Sequence, residues 1–422
     1  MHQVNAISQK LTTSPLEGIR VLDLTRILAG PWATQNLADL GAEVIKVENP
    51  EGGDDTRKMG PPFVRNLASG DISDAAYFLA TNRGKKSVSI NISTPSGQKL
   101  IRDLAAKCDV LVENYKVGGL SKYGLDFDSL SSELPHLIYC SITGFGQSGP
   151  YRFRAGYDYL IQAMGGLMSV TGEPDDMPGG GPQRAGVALA DVLSGMYATL
   201  AILAALRHRD AGGAGQYIDI SMMDVQVATL ANQAMNYLTT KQVPNRMGKG
   251  HMNIVPYGTF PALDGYLILA VGNDSQFRKM ALAMNRPEIG NDPRFATIAQ
   301  RVTNRNILVP MLEAITATRT IDAWVKIMES VDVPCGPINT IDRVFADPHV
   351  RARGLQMELP HHDCGTVPSV ANPIRLSATP IHYSNGPPAL GEHTREVLKR
   401  LLGIGEDQIS MWGASGVIKV TQ

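Results

Sequence analysis

Short, nearly continuous apolar runs alternate with longer amphipathic stretches through the first half of the chain. Arg20–Leu24 (RVLDL), Glu43–Val47 (EVIKV), Ser87–Asn91 (SVSIN), Asp109–Glu113 (DVLVE) and Leu137–Ile142 (LIYCSI) read as strands. Helices are predicted from Gly30-Pro31 to Leu40 and over about 95–107. Strands apolar at successive positions are buried on both faces, which requires a parallel sheet with helices on either side. The predicted fold class is α/β, with a doubly wound parallel-sheet large domain.

From Asp158 to Met235 the pattern is mainly helical. Asp191–His208 carries a long apolar run that suits a buried helix, ending in basic residues before the Gly212-Gly213 breaker. Tyr217–Met222 is a further strand candidate. A separate, smaller α+β unit is expected over about 245–335. Val255–Phe260 and Tyr266–Val271 flank Asp264-Gly265, a strong hairpin signal, and helical patterns follow near 276–284, 306–316 and 321–330. Pro334–Pro337 punctuates the chain before a last amphipathic helix near 393–402. Residues 1–225 are read as the large domain and 345–422 as a C-terminal segment.

Composition narrows the function classes. A formal charge of -1 with 19% charged residues leaves no nucleic-acid footprint. Cys108, Cys140, Cys335 and Cys364 form no CxxC pair, which argues for free thiols in a reducing compartment. The apolar stretches read as too short or too broken to cross a membrane. Met1–Pro15 has no apolar core of a secretory signal. A soluble cytoplasmic protein is expected, with a mitochondrial form as the alternative in a eukaryote.

The familiar chemical templates mostly fail. There is no GxxxxGK[ST] and no GxGxxG after the first strand, so neither a P-loop nor a dinucleotide fingerprint is present. Gly146-Gln147-Ser148-Gly149-Pro150 lacks the last glycine of a nucleophile elbow. In His361-His362-Asp363-Cys364 four adjacent ligand types do not readily converge on one ion, so a surface loop is expected and no metal. Asp191 is more informative. It sits in the apolar stretch Gly186–Gly195 (GVALADVLSG), at the start of the long predicted helix. As an N-cap it would stabilise that helix by roughly 1 kcal/mol. As a nucleophile it would be kept ionised by the helix dipole, with nearby backbone N–H groups for an oxyanion. These residues alone leave both readings open.

A resemblance bears on the choice. Leu16–Leu24 (LEGIRVLDL), Gly30-Pro31, Leu40–Glu48 (LGAEVIKVE), Gly53–Arg57 (GDDTR) and Asn82–Ser87 (NRGKKS) are similar to segments of the class III CoA-transferases. So are Val112–Tyr115 (VENY), Ser141–Gly146 (SITGFG) and Leu390–Thr394 (LGEHT), all in order over nearly the whole chain. That family holds formyl-CoA:oxalate and carnitine CoA-transferases, with an acyl-CoA racemase as a side branch. Its catalytic aspartate falls on Asp191. The racemase branch has a histidine where this chain has Tyr157, and a phenol with a pKa of about 10 is a poor base at neutral pH. A subgroup pairing succinyl-CoA with glutarate resembles Gly60–Phe63, Arg184–Asp191, His251–Pro256 and Gly336–Asn339.

The resemblance implies CoA transfer from an acyl-CoA, succinyl-CoA first, to a dicarboxylic acid such as glutarate. Another acid such as oxalate, or a racemase-like reaction, is the alternative. CoA enters as a substrate, with no metal and no permanently bound cofactor. The resemblance assigns CoA contacts to Leu28, Ala29, Asn49, Ile90, Asn91, Asn114, Tyr115, Lys122, Ala155, Tyr157 and Asp158. Arg83 and Arg184 are the first candidates for the far carboxylate of the acid, since Arg pairs bidentately, with Tyr77 and His251 beside them. Gly179–Gly181 or Gly248–Asn253 would form a lid. The family also implies an interlocked homodimer, in which residues 345–422 return to the large domain.

Overall fold

A computed structural model describes residues 14–421. Seven strands form the main sheet, in the order Ile418–Lys419, Lys86–Ile90, Glu43–Glu48, Arg20–Asp23, Val110–Glu113, Ile138–Thr143, Tyr217–Ser221. All pairings are parallel except that of Ile418–Lys419 with Lys86–Ile90. The predicted strands and the parallel, doubly wound arrangement are present. The antiparallel edge strand is an addition, since two residues are too few to show a period.

The continuous apolar runs feed two cores, because successive side chains point to opposite faces. Leu22, Ile45, Leu111 and Tyr139 pack into one, with Leu100, Leu104, Val397 and Leu398 of the helices Pro95–Ala105 and Thr394–Leu402. Val21, Val44, Val110, Ile138 and Cys140 pack into the other. There they meet Ala33 and Leu37 of the helix Ala29–Asp39, and Ala198 and Ile202 of the helix Leu189–Asp210.

Contrary to the sequence expectation, Leu189–Asp210 does have the length and apolarity of a membrane span, with a mean hydropathy of 1.8. Packing accounts for it. Ala190, Ser194, Ala198, Ile202 and Leu206 recur at helical spacing and are all buried.

The chain divides into two compact units. One comprises the described residues of Met1–Gly166, Gly186–Ala231 and Arg351–Gln422; the other comprises Leu167–Ala185 and Asn232–Val350. The stretch read as one large domain over 1–225 is therefore interrupted. Its inserted segment is tied to residues 246–248. Arg246 donates to the Glu173 carbonyl at 3.1 Å and pairs with Asp175, and Gly248 N–H donates to the Gly172 carbonyl at 3.1 Å. Such tertiary allegiance leaves no mark in local periodicity.

In the second unit Tyr257–Ala262 and Gly265–Ala270 form the expected hairpin, and Cys335–Pro337 pairs with its second strand. Leu267, Leu269, Phe277, Phe295, Leu312 and Trp324 build its core. Two hairpins of the first unit, Phe63–Arg65 with Ile72–Ala75 and Gln356–His361 with Gly365–Val370, were not anticipated. The His361–Cys364 run turns the second of these, and all four cysteines are free. Among the described residues no three His, Cys, Asp or Glu side chains gather as for a metal ion.

Candidate active site

The strand Arg20–Asp23 is the pivot of the main sheet. The chain leaves it for Glu43–Glu48 on one side, whereas Val110–Glu113 on its other side leads on to Ile138–Thr143. The two loops beyond these strands diverge, and ligands of open α/β sheets bind in such a crevice. Here the loops carry Arg26–Ala29 and Asn114–Val117. Both line a cavity of about 440 Å³ that also exposes Lys122, Gly144, Ala155, Tyr157 and Asp191.

Asp191 is brought to this cavity by close helix packing. A Cβ on Gly195 would stand 2.6 Å from the Ala29 carbonyl oxygen, so only glycine lets the helix Leu189–Asp210 lie this near Ala29–Asp39. A second close approach opens the opposite wall, where a Cβ on Gly144 would stand 2.6 Å from Gly156 Cα.

The N-cap of the helix is Ala188, with no side-chain cap, so Asp191 is free of that role. Asp158 does the capping from another element, accepting the Ala190 N–H at 2.9 Å. Two expectations bear on this helix start. Leu189, Ala190 and Val192 N–H donate to the Val187 carbonyl, Asp158 and the Ala188 carbonyl, so they are not offered to an oxyanion. Nor does the helix start hold Asp191 at an ordinary carboxylate pKa. Burial first, and the Asp158 charge second, push it up to about 7.

The other charged side chains that line the cavity are cationic. Arg26, Lys116, Lys122, Arg152 and Arg154 line the same cavity, and Asp191 is its one carboxylate among the described residues. Of these five cations sequence reasoning named only Lys122. The alternation Tyr151-Arg152-Phe153-Arg154 was the available signal for two more; Arg154 stacks 4.6 Å from the Tyr151 centroid. A second cavity of about 210 Å³ shares Arg26 and Tyr115 and adds Asn49, Ile90 and Asn91. The structure thus gathers most of the expected CoA positions into two cavities with common walls.

Several expected contacts have other partners. Asn114 donates its amide to the Arg26 carbonyl at 2.7 Å and accepts the Arg26 N–H at 2.9 Å, which fixes the loop backbone. Asn49 and Asn91 accept N–H groups of Glu51 and Ser93 within their own turns, both at 3.0 Å.

Arg83 already has protein partners. It is buried, donates to Asp39 through Nε at 2.9 Å and reaches Ser369 at 3.4 Å, so its guanidinium is already committed to the protein. A free cation for a substrate acid would not be neutralised in this way. Tyr77 is 37% exposed, and its phenol is pushed up by burial and by the charges of Asp191, Asp158 and Asp54, which places it in the field of the site. Arg184 and His251 belong to the second unit, with His251 packed edge-on against Tyr257 at 5.2 Å.

The chain is 51% identical over 387 residues to the succinate–glutarate CoA-transferase of Agrobacterium fabrum, covering 92% of this chain and 96% of that protein. It is 45% identical over 405 residues to the succinyl-CoA:glutarate CoA-transferase of Mus musculus, covering 96% and 90%. The crystal structure of a CAIB/BAIF family protein from Brucella suis superposes with a TM-score of 0.81 at 48% identity, covering 92% of this chain and all of that one, 100%. Residues 16–394 match the model of CoA-transferase family III, and the chain belongs to that family.

Proposed function

We propose that this enzyme moves CoA from succinyl-CoA to glutarate through covalent intermediates on Asp191. The observation that carries the reading is the placement of Asp191, among the described residues, as the one carboxylate in a cavity lined by five basic side chains. Those cations suit the phosphates of CoA, and the carboxylate suits attack on a thioester carbonyl. The choice of acids rests on the named activities of the relatives at 51% and 45% identity.

The cycle balances without hydrolysis. The Asp191 carboxylate adds to the succinyl carbonyl, the C–S bond breaks, and CoA leaves as thiolate, giving a mixed anhydride. The thiolate attacks the Asp191 carbonyl and releases succinate, leaving an aspartyl-CoA thioester. A glutarate carboxylate displaces the thiolate to form a second anhydride. Attack of the thiolate on its glutaryl carbonyl gives glutaryl-CoA and frees Asp191. Leu28, Ala29, Tyr115, Lys122, Ala155 and Tyr157 line the path for the coenzyme, and Tyr77 adds a hydroxyl near the reacting carboxylate. Water has to be kept from every intermediate. The same reading takes two chains as an interlocked homodimer, and keeps Arg184 and His251 as candidates for the far carboxylate of the acid.

Succinyl-CoA incubated with glutarate, oxalate and malate, followed by mass spectrometry, tests the substrates. Glutarate labelled with oxygen-18 tests the route, since one labelled oxygen is left on Asp191 in each turnover. Full transfer by Asp191→Ala, or no label in the Asp191 peptide, would overturn the mechanism. Deuterium entering the α-carbon of an acyl-CoA would favour a racemase instead.

A further inference from the structure

The loop between the strand Arg20–Asp23 and the helix Ala29–Asp39 is held at nearly every backbone group. Lys46 donates to the Thr25 carbonyl at 2.8 Å, and Asn114 brackets Arg26. Ile27 N–H donates to Asp54 Oδ1 at 3.2 Å. Ile27 has φ of 71°, a left-handed conformation that a β-branched residue adopts only when its surroundings impose it. The imposing group is itself fixed. Asp54 pairs with Lys46 at 2.9 Å with both side chains fully buried, and it accepts from Thr56 N–H at 3.0 Å.

This arrangement lies against the reacting centre. Arg26, Ile27, Leu28 and Ala29 form one wall of the cavity that holds Asp191, while Lys46 and Asp54 line the adjoining cavity on the other side of the loop. Neither Lys46 nor Asp54 lines the Asp191 cavity, so their influence there passes through the loop. A relaxed Ile27, with negative φ, would turn its N–H and the next peptide away from their present directions and redraw that wall.

We propose that Asp54, held by Lys46, is a positioning residue for thioester binding. It keeps Ile27 left-handed and so sets the Arg26–Ala29 wall against which the acyl-CoA lies. The inference rests on the assignment of this cavity to CoA.

The test pairs a loss with a rescue. The double variant Lys46→Met/Asp54→Ala removes both buried charges together, which avoids leaving either one uncompensated. Its KM for succinyl-CoA is expected to rise at least about tenfold, with kcat changed by less than about threefold, because the wall is lost but Asp191 is not. Adding Ile27→Gly should recover most of that KM, down to the value of Ile27→Gly alone, which carries the same loss of side chain from the wall, since glycine populates positive φ unaided. A purely structural role predicts a lower melting temperature with no such rescue. Unchanged KM in the double variant, or no recovery on adding glycine, would overturn the proposal.

If the double variant does not fold, Ile27→Gly and Ile27→Ala in the otherwise intact chain decide it. Both lose the side chain, but only alanine pays for left-handed backbone, so the glycine variant should melt about 1–2 °C higher. The reverse order would sink the idea. Succinyl-CoA binding by the unaltered enzyme, measured by calorimetry, keeps the two readings apart. Its absence defeats the CoA assignment, whereas its presence with an unaffected double variant defeats only the role of Asp54.

Discussion

Asp158 Oδ1 accepts the Ala190 N–H at 2.9 Å, so one carboxylate caps the helix whose third residue, Asp191, is the other. The pairing contributes to the charge state of the proposed nucleophile. Burial and then Asp158 raise the Asp191 pKa to about 7, and only the ionised form attacks a thioester. kcat/KM for succinyl-CoA should therefore climb with pH through about 7, falling close to tenfold per pH unit below it. Asp158→Asn keeps an oxygen for the Ala190 N–H and removes the charge. It should move the acid limb to lower pH by up to about one unit, leaving the larger contribution of burial in place. A limb that stays put would mean that the two carboxylates do not interact.

The same shift has a stability consequence of opposite sign to the usual paired aspartate. Folded Asp191 holds its proton up to about 7, whereas the unfolded chain releases it near 3.8, the ordinary value for an aspartate. Stability is thus lost as pH rises between these values and stays lower above them. Asp191→Asn should abolish transfer and yet stabilise the protein above pH 7, by at most about 4 kcal/mol. Near pH 4 the gain should vanish. Melting curves of both proteins at the two pH values check the sign.

Much of this architecture was legible before any coordinates. Strands such as Val110–Glu113 are apolar on both faces because each feeds two cores, and that pattern survives in one dimension. Asp191 stood out as a lone carboxylate in an apolar run. What escaped was charge bookkeeping across long separations. Arg83 is paired with Asp39, 44 residues away, and nothing local distinguishes it from a cation waiting for a substrate. Arg26 and Arg154, far apart in sequence, likewise line one cavity because of the fold, not because of spacing. The allegiance of Leu167–Ala185 to the second unit depends on hydrogen bonds to residues 246 and 248.

Gly195 is expected to be as critical as many polar residues. A Cβ there would meet the Ala29 carbonyl oxygen at 2.6 Å and the Trp32 ring at 3.0 Å, and backbone cannot yield as a flexible side chain does. Gly195→Ala must therefore separate the helices Leu189–Asp210 and Ala29–Asp39. The cost in stability should be about 1–3 kcal/mol. Because Asp191 lies one turn away and Ala29 lines its cavity, misplacement should lower kcat/KM by more than about tenfold. Denaturant melts and initial rates on the same preparation measure both effects.

Arg83 and Lys122 separate structural charge from charge offered to a ligand. The Arg83 guanidinium is buried against Asp39, which also accepts from Asn372 Nδ2 at 3.0 Å. Arg83→Ala leaves that carboxylate buried without its cation, so the fold should lose about 3–5 kcal/mol. Once folded, the variant should show an unchanged KM for glutarate. Lys122 is exposed, lies 4.7 Å from the Tyr123 ring centroid, and lines the Asp191 cavity. Lys122→Ala should leave the melting temperature within about 1 °C, since exposed charges contribute little to folding. Its effect should fall on succinyl-CoA, with KM raised about three- to tenfold at low salt and less at high salt, where phosphate attraction is screened. If Arg83→Ala instead raised the glutarate KM without loss of stability, the Asp39 pair would have to open during turnover, and the acid would bind through Arg83 after all.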